Sequence, residues 1–553
     1  METQKELSAE VVLSVQDVTI ALPPGADRTN AVENISFDIR RGQTVCIVGE
    51  SGSGKSVLAN AIMGLLPAGV TPVCGSMKLL GRELIDATQR ELRRIRGSSM
   101  AMVFQEPMTA LNPVMTCGEQ IDEMLSHHSD LGPDERRSAV LKIMDRVRLP
   151  EPERVYRSYP HQLSGGQRQR IVIAIALILR PGLVICDEPT TALDVTTQAE
   201  ILDLVSELQR ENGTAVMFIT HDLGVVADIG DEVVVLRLGE MVERGTSEEV
   251  LGHPQHPYTQ MLVDAIPHVS TQGRPHIPSR SALLEVKDIK KTYVSRNWFG
   301  GRREVHALEA ASFSIQPGET LGVVGESGSG KSTVARCIAR MIEPTSGNIC
   351  LDGRDVTHLE GRDLSDFRRS VQMIYQDPYR SLNPRRTVGE SIIEGAVNFG
   401  ASRTQAWERA ERLMQLVRLK PESLRRYPSE FSGGQRQRIS IARALACEPK
   451  LLIADEAVSA LDVSVQAQVL TLLGEIQRAT KVAILFITHD LRVAGQICDR
   501  VIVMHRGRIV EEGPAREVLL DPKHAYTRQL IEAAPGRNFT FGRTPDLNGL
   551  SAT

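Results

Sequence analysis

Gly49-Glu50-Ser51-Gly52-Ser53-Gly54-Lys55-Ser56 is the most informative segment in the first half of this 553-residue chain. The same pattern returns as Gly325-Glu326-Ser327-Gly328-Ser329-Gly330-Lys331-Ser332. Each copy follows an apolar, β-rich run, Thr44–Val48 or Thr320–Val324, and precedes a segment of helical character. A glycine-rich loop between a strand and a helix, closed by Gly-Lys-Ser, is typical of a phosphate-binding loop (P-loop). The sequence therefore predicts two P-loops in equivalent surroundings.

Each residue type in the loop suits the binding of a triphosphate. The glycines let the backbone wrap closely with its N–H groups pointing inward, and the following helix N-terminus reinforces this anion site. We expect Lys55 to bridge the β- and γ-phosphates and Ser56 to offer its hydroxyl to Mg²⁺, which takes oxygen ligands. The nucleotide-binding residues predicted in the two loops are Gly49, Ser51, Gly52, Ser53, Gly54, Lys55, Ser56, Gly325, Ser327, Gly328, Ser329, Gly330, Lys331, Ser332 and Thr333.

Length and composition limit the class of protein. A chain of 553 residues exceeds what one hydrophobic core usually supports, so at least two domains are expected. The formal net charge of -5 gives no support for a nucleic-acid partner, and we expect none. No apolar run approaches the roughly 18 to 20 residues that span a bilayer, and residues 1–6 are polar, without the apolar region of a signal peptide. These features predict a cytoplasmic protein.

The eight cysteines show no C-x-x-C pair and no histidine partner at metal-ligand spacing. This pattern indicates neither a zinc site nor a disulfide framework. Cys46 and Cys186 lie on apolar runs beside the predicted nucleotide site, where oxidation could interfere with activity. We interpret the cysteines mainly as buried small hydrophobic residues.

The second half of the chain repeats the order of the first half, which gives the predicted domain boundaries. The first nucleotide-binding domain covers residues 1–267 and the second covers residues 282–536. Residues 268–281 are rich in Pro, Gly, Ser, Gln and Arg, as expected of an exposed linker. Residues 537–553 are polar and are predicted to form a flexible tail.

An α/β fold is predicted for each half. Apolar strands such as residues 183–186 and 216–219 alternate with helical segments such as residues 198–210. This alternation is typical of a mainly parallel sheet.

Two additional parts are expected beside each parallel sheet. In the first half, residues 13–21 and 31–39 read as antiparallel strands of a smaller β subdomain. Residues 134–148 and 403–419 are charged with a helical period, which predicts a helical insertion in each half.

Further motifs follow each P-loop in one fixed order. In the first half these are Gln105, Leu163-Ser164-Gly165-Gly166-Gln167, Asp187-Glu188, Asp194 and His221. In the second half they are Gln376, Phe431-Ser432-Gly433-Gly434-Gln435, Asp455-Glu456, Asp462 and His489. This order resembles the nucleotide-binding domains of the ABC superfamily over nearly the whole chain. The resemblance implies an α/β fold with two tandem ABC-type P-loop domains that bind ATP and Mg²⁺.

The acidic pair ends an apolar strand in each half, which suits metal binding and catalysis. Asp187 and Asp455 can hold the Mg²⁺ water shell, and Glu188 and Glu456 can accept a proton from the attacking water. A general base of this kind typically contributes about 10²- to 10⁴-fold to a rate. The predicted metal-binding residues are Ser56, Gln105, Asp187, Ser332, Gln376 and Asp455.

The remaining roles follow from the resemblance. His221 and His489 would sense the γ-phosphate, while Gln105 and Gln376 would act in catalysis and pass motion to the membrane subunits. Ser164 and Ser432 would each open a helix that presents N–H groups and a hydroxyl to an anion. In the family this signature reaches the nucleotide on the other domain's P-loop, so the halves pair head to tail around two ATP molecules. The nucleotide contacts implied here are Ser164, Gly165, Gly166, Gln167, Asp194, Ser432, Gly433, Gly434, Gln435 and Asp462.

The aromatic residue that stacks on adenine in the family corresponds to Tyr293 in the second half. Leu22 stands at this position in the first half and offers no ring for stacking.

Two repeated segments indicate a subfamily. After each glutamine the chain continues to Leu-Asn-Pro, within residues 104–113 and 375–384. Each half ends with an H-x-Y-T segment, at residues 256–259 and 524–527. Both features resemble the ATPases of dipeptide, oligopeptide and nickel importers, with two ATPase subunits fused. The resemblance implies a peptide importer ATPase, peripheral on the cytoplasmic face of the cell inner membrane. Its expected partners are two integral-membrane permease subunits and an extracytoplasmic substrate-binding protein.

Other assignments remain open at this point. The cargo can instead be a nickel or metal chelate, or glutathione. A soluble twin-ABC factor acting on ribosomes and a drug exporter ATPase are the alternatives from other classes. Some relatives carry a cysteine cluster after the H-x-Y-T segment, but residues 268–281 contain no cysteine, so an iron–sulfur cluster is not expected.

Overall fold

The computed structural model describes residues 10–190, 193–267, 281–296, 302–459, 461–537 and 539–542. Two compact units divide them: one holds residues up to Leu193, Thr197–Ile266 and the described residues from Pro535, and the other holds Asp194–Thr196 and Pro267–Ala534. The predicted linker lies outside the described residues except for Ser281, as does most of the predicted tail. These domain boundaries therefore stay predictions.

The strands of the first unit form two sheets. Their bounds are β1 Val11–Ala21, β2 Asn30–Arg40, β3 Thr44–Val48, β4 Thr71–Leu79, β5 Arg82–Glu83, β6 Met100–Val103, β7 Leu183–Asp187, β8 Ala215–Ile219, β9 Glu232–Arg237 and β10 Glu240–Thr246. One sheet is antiparallel in the order β2-β1-β4-β5. The other has the order β10-β9-β3-β8-β7-β6 and is parallel except between β9 and β10.

Helices connect these strands, and several begin at a capping box in which a Thr or Ser side chain satisfies backbone N–H groups. The α-helices are α1 Lys55–Ile62, α2 Gln89–Ile95, α3 Pro107–Ala110, α4 Cys117–His128, α5 Pro133–Arg146, α6 Pro152–Tyr156, α7 Gly165–Leu177, α8 Val195–Asn212, α9 Leu223–Ile229 and α10 Pro257–Asp264. Short turns of other helical types lie at Pro160–Gln162 and Glu248–Gly252.

The second unit repeats this plan. Its strands are β11 Leu284–Arg296, β12 Arg302–Ile315, β13 Thr320–Val324, β14 Ser346–Leu351, β15 Arg354–Asp355, β16 Val371–Ile374, β17 Leu451–Asp455, β18 Ala483–Ile487, β19 Arg500–His505 and β20 Arg508–Pro514. They form one sheet, ordered β15-β14-β11-β12-β20-β19-β13-β18-β17-β16. A single pair between β12 and β20, Ala310 with Arg508, joins its antiparallel part to its mainly parallel part.

The helices of the second unit occupy the equivalent places in the chain. They are α11 Lys331–Ile338, α12 Gly361–Ser370, α13 Pro378–Ser381, α14 Val388–Asn398, α15 Arg403–Leu416, α16 Gly433–Leu445, α17 Val463–Thr480, α18 Leu491–Ile497, α19 Ala515–Leu520 and α20 Ala525–Glu532. Short 3₁₀ turns cover Pro421–Arg425 and Pro428–Glu430.

The parallel strands are buried on both faces, which explains their unbroken apolar sequences. In β8, Phe218 faces the core shared with the helices that follow β6, whereas Ile219 faces the core shared with the antiparallel sheet and α1. The alternation of side chains along a strand therefore divides each unit into two cores. Phe486 and Ile487 divide the second unit in the same way.

The predicted parts beside the parallel sheets are confirmed. The first two strands of each unit pair antiparallel, and the charged segments form α5 and α15. No helix in the described ranges is both long and apolar enough to cross a bilayer.

Cysteine burial follows the sequence interpretation in most cases: Cys46 and Cys186 are completely buried, whereas Cys74 is exposed. Burial raises the pKa of the Cys186 thiol to about 12, which disfavours the reactive thiolate.

The described residues after Pro535 pack in the first unit. Phe539 and Phe541 contact the core of that unit that includes Phe218. The Gly536 N–H donates to Asp228 Oδ2 at 2.9 Å, and the Gly542 N–H donates to the Leu251 carbonyl at 3.0 Å. The first core therefore includes residues from the far end of the chain.

Phe486→Ala tests the packing of the second unit. Phe486 is 0% exposed, so removing its ring should lower the free energy of unfolding of this unit by about 3 to 5 kcal/mol. Both tryptophans, Trp298 and Trp407, belong to the second half, so tryptophan fluorescence during urea unfolding reports on it. Leu520→Ala is the control, because Leu520 is 58% exposed and its truncation should change stability by less than about 0.5 kcal/mol. Equal shifts for both variants would contradict the described core.

Candidate functional site

Four parallel strands bring the sequence motifs of the first half together. Because β3, β6, β7 and β8 run in the same direction, their carboxyl ends share one edge of the sheet. At this edge β3 leads into the P-loop, β7 ends at Asp187 and passes to Glu188, β8 leads to His221, and β6 leads to Gln105. The second unit gathers the equivalent residues at the ends of β13, β16, β17 and β18.

The P-loop lysine is held by the carbonyl groups of its own loop. Lys55 Nζ donates to the Gly49 carbonyl at 2.7 Å and to the Glu50 carbonyl at 2.9 Å. Lys331 makes the same two contacts in the second loop, both at 2.7 Å. Burial lowers the pKa of Lys331, because desolvation disfavours its charged form. Each ammonium is thus fixed inside the loop, where an anion would be attracted.

The glycines of the first loop are needed for two different reasons. A Cβ on Gly49 would lie 2.2 Å from the Leu236 carbonyl oxygen, and one on Gly54 would lie 2.5 Å from the Ala31 carbonyl oxygen. A Cβ on Gly52 would meet nothing within 4 Å, but its φ of 81° disfavours other residues. The outer glycines therefore permit close packing against neighbouring strands, and Gly52 supplies backbone conformation.

An oxygen pair suited to a hard cation follows each lysine. Ser56 Oγ donates to Asp187 Oδ1 at 3.1 Å, and Ser332 Oγ donates to Asp455 Oδ1 at 3.1 Å. Asp187 is 6% exposed and Asp455 is 9% exposed. Burial raises the pKa of both carboxyl groups, so a nearby cation would stabilise their ionised forms. These donors fit Mg²⁺, which prefers carboxylate, hydroxyl and phosphate oxygens.

The adjacent glutamate of the first half lies between a glutamine and a histidine. Glu188 Oε2 accepts a hydrogen bond from Gln105 Nε2 at 2.9 Å. Its Oε1 lies 3.3 Å from His221 Nδ1. The structure therefore brings together three residues that are far apart in sequence and were each predicted to act in catalysis.

The second half has the same arrangement with a clear electrostatic effect. Glu456 accepts a hydrogen bond from Gln376 Nε2 at 2.8 Å and lies 3.8 Å from His489 Nδ1. Burial on its own would raise the pKa of Glu456, but His489 and then Lys331 outweigh it and lower that pKa. Burial would likewise lower the pKa of His489, and Glu456 instead raises it. The pair favours an ionised carboxylate beside a protonated imidazole.

Both glutamates have an unusual backbone conformation. Glu188 has φ 46° and Glu456 has φ 50°, in the left-handed region that few non-glycine residues adopt. Their N–H groups donate to the carbonyls of Ile219 and Ile487 at 2.9 and 3.0 Å. The left-handed backbone therefore comes directly after the strand in both units, and no local sequence signal predicts it.

The signature serines cap helices. Ser164 Oγ accepts from the Gln167 N–H at 3.3 Å, and Gln167 Oε1 accepts from the Ser164 N–H at 3.1 Å. Ser432 and Gln435 repeat this box at the start of α16. Each signature serine therefore caps the helix that it opens. The signature glycines Gly165, Gly166, Gly433 and Gly434 form the first turns of α7 and α16.

The remaining predicted nucleotide contacts lie at several places. Asp194 Oδ1 accepts a hydrogen bond from Thr196 Oγ1 at 2.8 Å, and Asp462 precedes α17. Tyr293, on β11, is 40% exposed, and Lys291 Nζ lies 5.4 Å from its ring centroid. Leu22 packs against the core of the antiparallel sheet. In the loops Ser51 and Ser327 are exposed, Ser53 and Ser329 are buried, and Thr333 is the third residue of α11.

Sequence reasoning missed one contact of each P-loop. The Tyr258 hydroxyl accepts a hydrogen bond from the Glu50 N–H at 3.0 Å, and the Tyr526 hydroxyl accepts one from the Glu326 N–H at 3.2 Å. These tyrosines belong to the H-x-Y-T segments, which the sequence marked only as a subfamily feature. The repetition of the segment was the one available signal.

Two family models match this chain. The family model described as ABC transporter matches residues 32–191 and 308–459. The model described as Oligopeptide/dipeptide transporter, C-terminal region, matches residues 242–301 and 510–549. Among solved structures, CbiO1 from Clostridium perfringens, part of the ABC transporter complex CbiONQ, is 28% identical, with a TM-score of 0.39, and covers 44% of this chain and 92% of its own.

Two relatives match this chain over most of their own length. The glutathione import ATP-binding protein GsiA of Salmonella paratyphi A is 47% identical over 568 residues, covering 97% of this chain and 91% of the relative. GsiA of Escherichia coli strain K12 is also 47% identical, over 573 residues, with the same coverage. The chain therefore belongs to the ABC transporter family, as an ATPase of the oligopeptide and dipeptide transporter type.

Proposed function

We propose that each half binds ATP on its P-loop and hydrolyses it with Glu188 or Glu456 as general base, and that this drives import of a short peptide-like cargo. The observation that carries the catalytic part is the repeated constellation of glutamate, glutamine and histidine beside a P-loop lysine. Two independent sets of residues with one geometry are difficult to explain by packing alone.

The glutamate has the surroundings that a general base needs. A base must lie within hydrogen-bond reach of the water it deprotonates and must be ionised at working pH. His489 helps to keep Glu456 ionised, since it lowers the pKa of that carboxyl group. Gln376 fixes one carboxylate oxygen by its 2.8 Å hydrogen bond, so the carboxylate has a defined orientation. His489 would also sense the γ-phosphate, because Glu456 favours its positively charged imidazolium form and the phosphate is negatively charged.

Ser56 and Asp187 would hold Mg²⁺ in the first half, and Ser332 and Asp455 would hold it in the second. Gln105 and Gln376 are the further proposed metal-site residues. When bound, Mg²⁺ would neutralise charge on the phosphate oxygens. The buried aspartates support this assignment, because each is an anionic group whose burial raises its pKa in the absence of a cation.

Glutathione is the cargo that we propose first. It is a tripeptide, and it fits both the peptide-type C-terminal family model and the glutathione import for which the GsiA relatives are named. Other short peptides are the nearest alternatives, and a nickel or metal chelate is the more distant one. We propose that two separate permease subunits and an extracytoplasmic binding protein complete the importer. The chain would then lie on the cytoplasmic face of the inner membrane.

Glu188→Gln combined with Glu456→Gln tests the general-base assignment. Glutamine keeps the size of the side chain but cannot take the proton, so the ATPase rate should fall at least about 100-fold. ATP affinity should change little, since the P-loop is intact. Steady-state phosphate release and equilibrium ATP binding measure the two effects. Glu153→Gln, an exposed glutamate on α6, is the matched control. Near-normal turnover by the double variant would refute the assignment.

Copurification tests the proposed partners. Extraction of membranes with mild detergent, followed by affinity purification of this chain, should recover two multi-span membrane proteins in equal amounts. Mass spectrometry of the purified complex makes the measurement. Recovery of ribosomal proteins in place of membrane proteins would favour the soluble-factor alternative.

Uptake by cells tests the cargo. Cells lacking the gene should lose most uptake of labelled glutathione, and the unmodified chain should restore it. The Glu188→Gln, Glu456→Gln chain, made at equal level, should not restore it. Labelled dipeptides and nickel are compared in the same cells. Unchanged glutathione uptake together with reduced nickel uptake would contradict the proposed cargo.

A further inference from the structure

The helix that begins within each H-x-Y-T segment contacts the P-loop of the same unit. Tyr258, on α10, is 5% exposed, and its hydroxyl accepts the Glu50 N–H at 3.0 Å. Tyr526, on α20, is 7% exposed, and its hydroxyl accepts the Glu326 N–H at 3.2 Å. Tyr258 is 208 residues from Glu50 in sequence, and Tyr526 is 200 residues from Glu326. The tertiary fold therefore brings each tyrosine to its loop.

The hydrogen-bonded N–H belongs to a peptide group that also holds the P-loop lysine. The peptide between Gly49 and Glu50 is trans, so its N–H and C=O point in opposite directions. The Glu50 N–H meets the Tyr258 hydroxyl, and the Gly49 carbonyl accepts from Lys55 Nζ at 2.7 Å. Tyrosine and lysine thus hold one peptide group from its two sides.

The second loop shows the same chain of contacts. The Gly325 carbonyl accepts from Lys331 Nζ at 2.7 Å, while the Glu326 N–H meets the Tyr526 hydroxyl. Rotation of this peptide would move the carbonyl that locates the ammonium. A side chain that fixes the N–H therefore also fixes the position of the charge that would meet the phosphates.

The other residues of the segment in the first unit fix the tyrosine. His256 Nδ1 accepts the Tyr258 N–H at 3.1 Å, so the histidine caps the helix. Glu243 accepts the N–H groups of Gln255 and His256 at 2.8 and 3.1 Å, which orients the turn before the helix. Arg237 lies over the tyrosine ring, 5.1 Å from its centroid.

The second unit uses equivalent contacts with one exchange. His524 Nδ1 accepts the Tyr526 N–H at 3.2 Å. Glu511 accepts the N–H groups of Lys523 and His524. His505 stacks on the ring in place of the arginine, with 4.0 Å between ring centroids. Burial raises the pKa of Tyr526 to about 12, so the hydroxyl stays neutral and keeps its proton while its oxygen accepts the Glu326 N–H.

We propose that Tyr258 and Tyr526 are positioning residues, which orient the first peptide group of each P-loop and thereby the lysine ammonium for binding a triphosphate. The inference rests on the proposed function, since it assumes that the loops bind ATP. It assigns to the H-x-Y-T segment a task in the nucleotide site: the histidine caps the helix and the tyrosine reaches the loop.

Removal of the two hydroxyl groups tests the inference. Tyr258→Phe and Tyr526→Phe are introduced together into the Glu188→Gln, Glu456→Gln protein, which avoids turnover during measurement. Calorimetry gives the dissociation constants of Mg²⁺-ATP and of inorganic tripolyphosphate, a probe of the cradle without the adenosine part. The Tyr258 hydroxyl also donates to Glu50 Oε2 at 3.4 Å, so the substitution removes this contact together with the acceptor of the N–H. Both constants should rise about five- to tenfold, the loss expected when the loop N–H loses its hydrogen-bond acceptor.

Tyr156→Phe is the matched control in the same parent. Tyr156 lies on α6 with its ring against Gly118, in the helical part of the first unit. Its replacement should leave both constants within twofold of the parent. Thermal unfolding without nucleotide checks that the phenylalanine variants remain folded.

The possible outcomes are distinct. A purely packing role for the tyrosine rings predicts no change, because phenylalanine keeps the ring, and unchanged constants in a parent that binds ATP would overturn this inference alone. A parent that does not bind ATP would overturn the proposed function and this inference with it. Weaker binding of both probes in a folded variant would support the inference.

Discussion

Parallel pairing of four strands is the constraint on which the rest of each unit depends. It places the carboxyl ends of four strands on one edge of the sheet. Residues more than a hundred positions apart in sequence, such as Ser56 and Asp187, therefore meet at this edge. The strands can pair side by side in the interior because the side chains on both of their faces are apolar. In these strands of the first unit, the polar residues Thr44 and Asp187 therefore lie at strand ends. The strand pairing that builds the core therefore also gathers the functional residues at the carboxyl edge of the sheet.

The charges at this edge depend on one another. Asp455 and Glu456 carry negative charge in a largely buried position, and Lys331 and His489 supply positive charge beside them. The neighbours of the glutamate lower its pKa, whereas burial raises the pKa of the aspartate. The two adjacent carboxyl groups therefore differ in their affinity for a proton, which is a common arrangement where one group binds a cation and another handles protons.

The fold class and the gathering of the motif residues at one sheet edge could be predicted from the sequence, because their signals are local or repeated. Alternation of strands and helices, the glycines of the loop and the acidic strand end can all be read from short windows. The left-handed backbone of Glu188 and the contact between Tyr258 and Glu50 could not be predicted. They arise from the approach of segments distant in sequence, and nothing in a local window fixes such an approach. The helix caps at Ser164 and Ser432 belong to the first group, since serine followed three residues later by glutamine indicates them.

The first unit draws Phe539 and Phe541 from the end of the chain. A ribosome makes these residues only after it has made the whole of the second unit. The first unit therefore cannot cover its hydrophobic surface fully until translation has passed the second unit. A nascent chain that stalls in the second half would present an unfinished first half to chaperones and proteases, even though every strand of that half has been made.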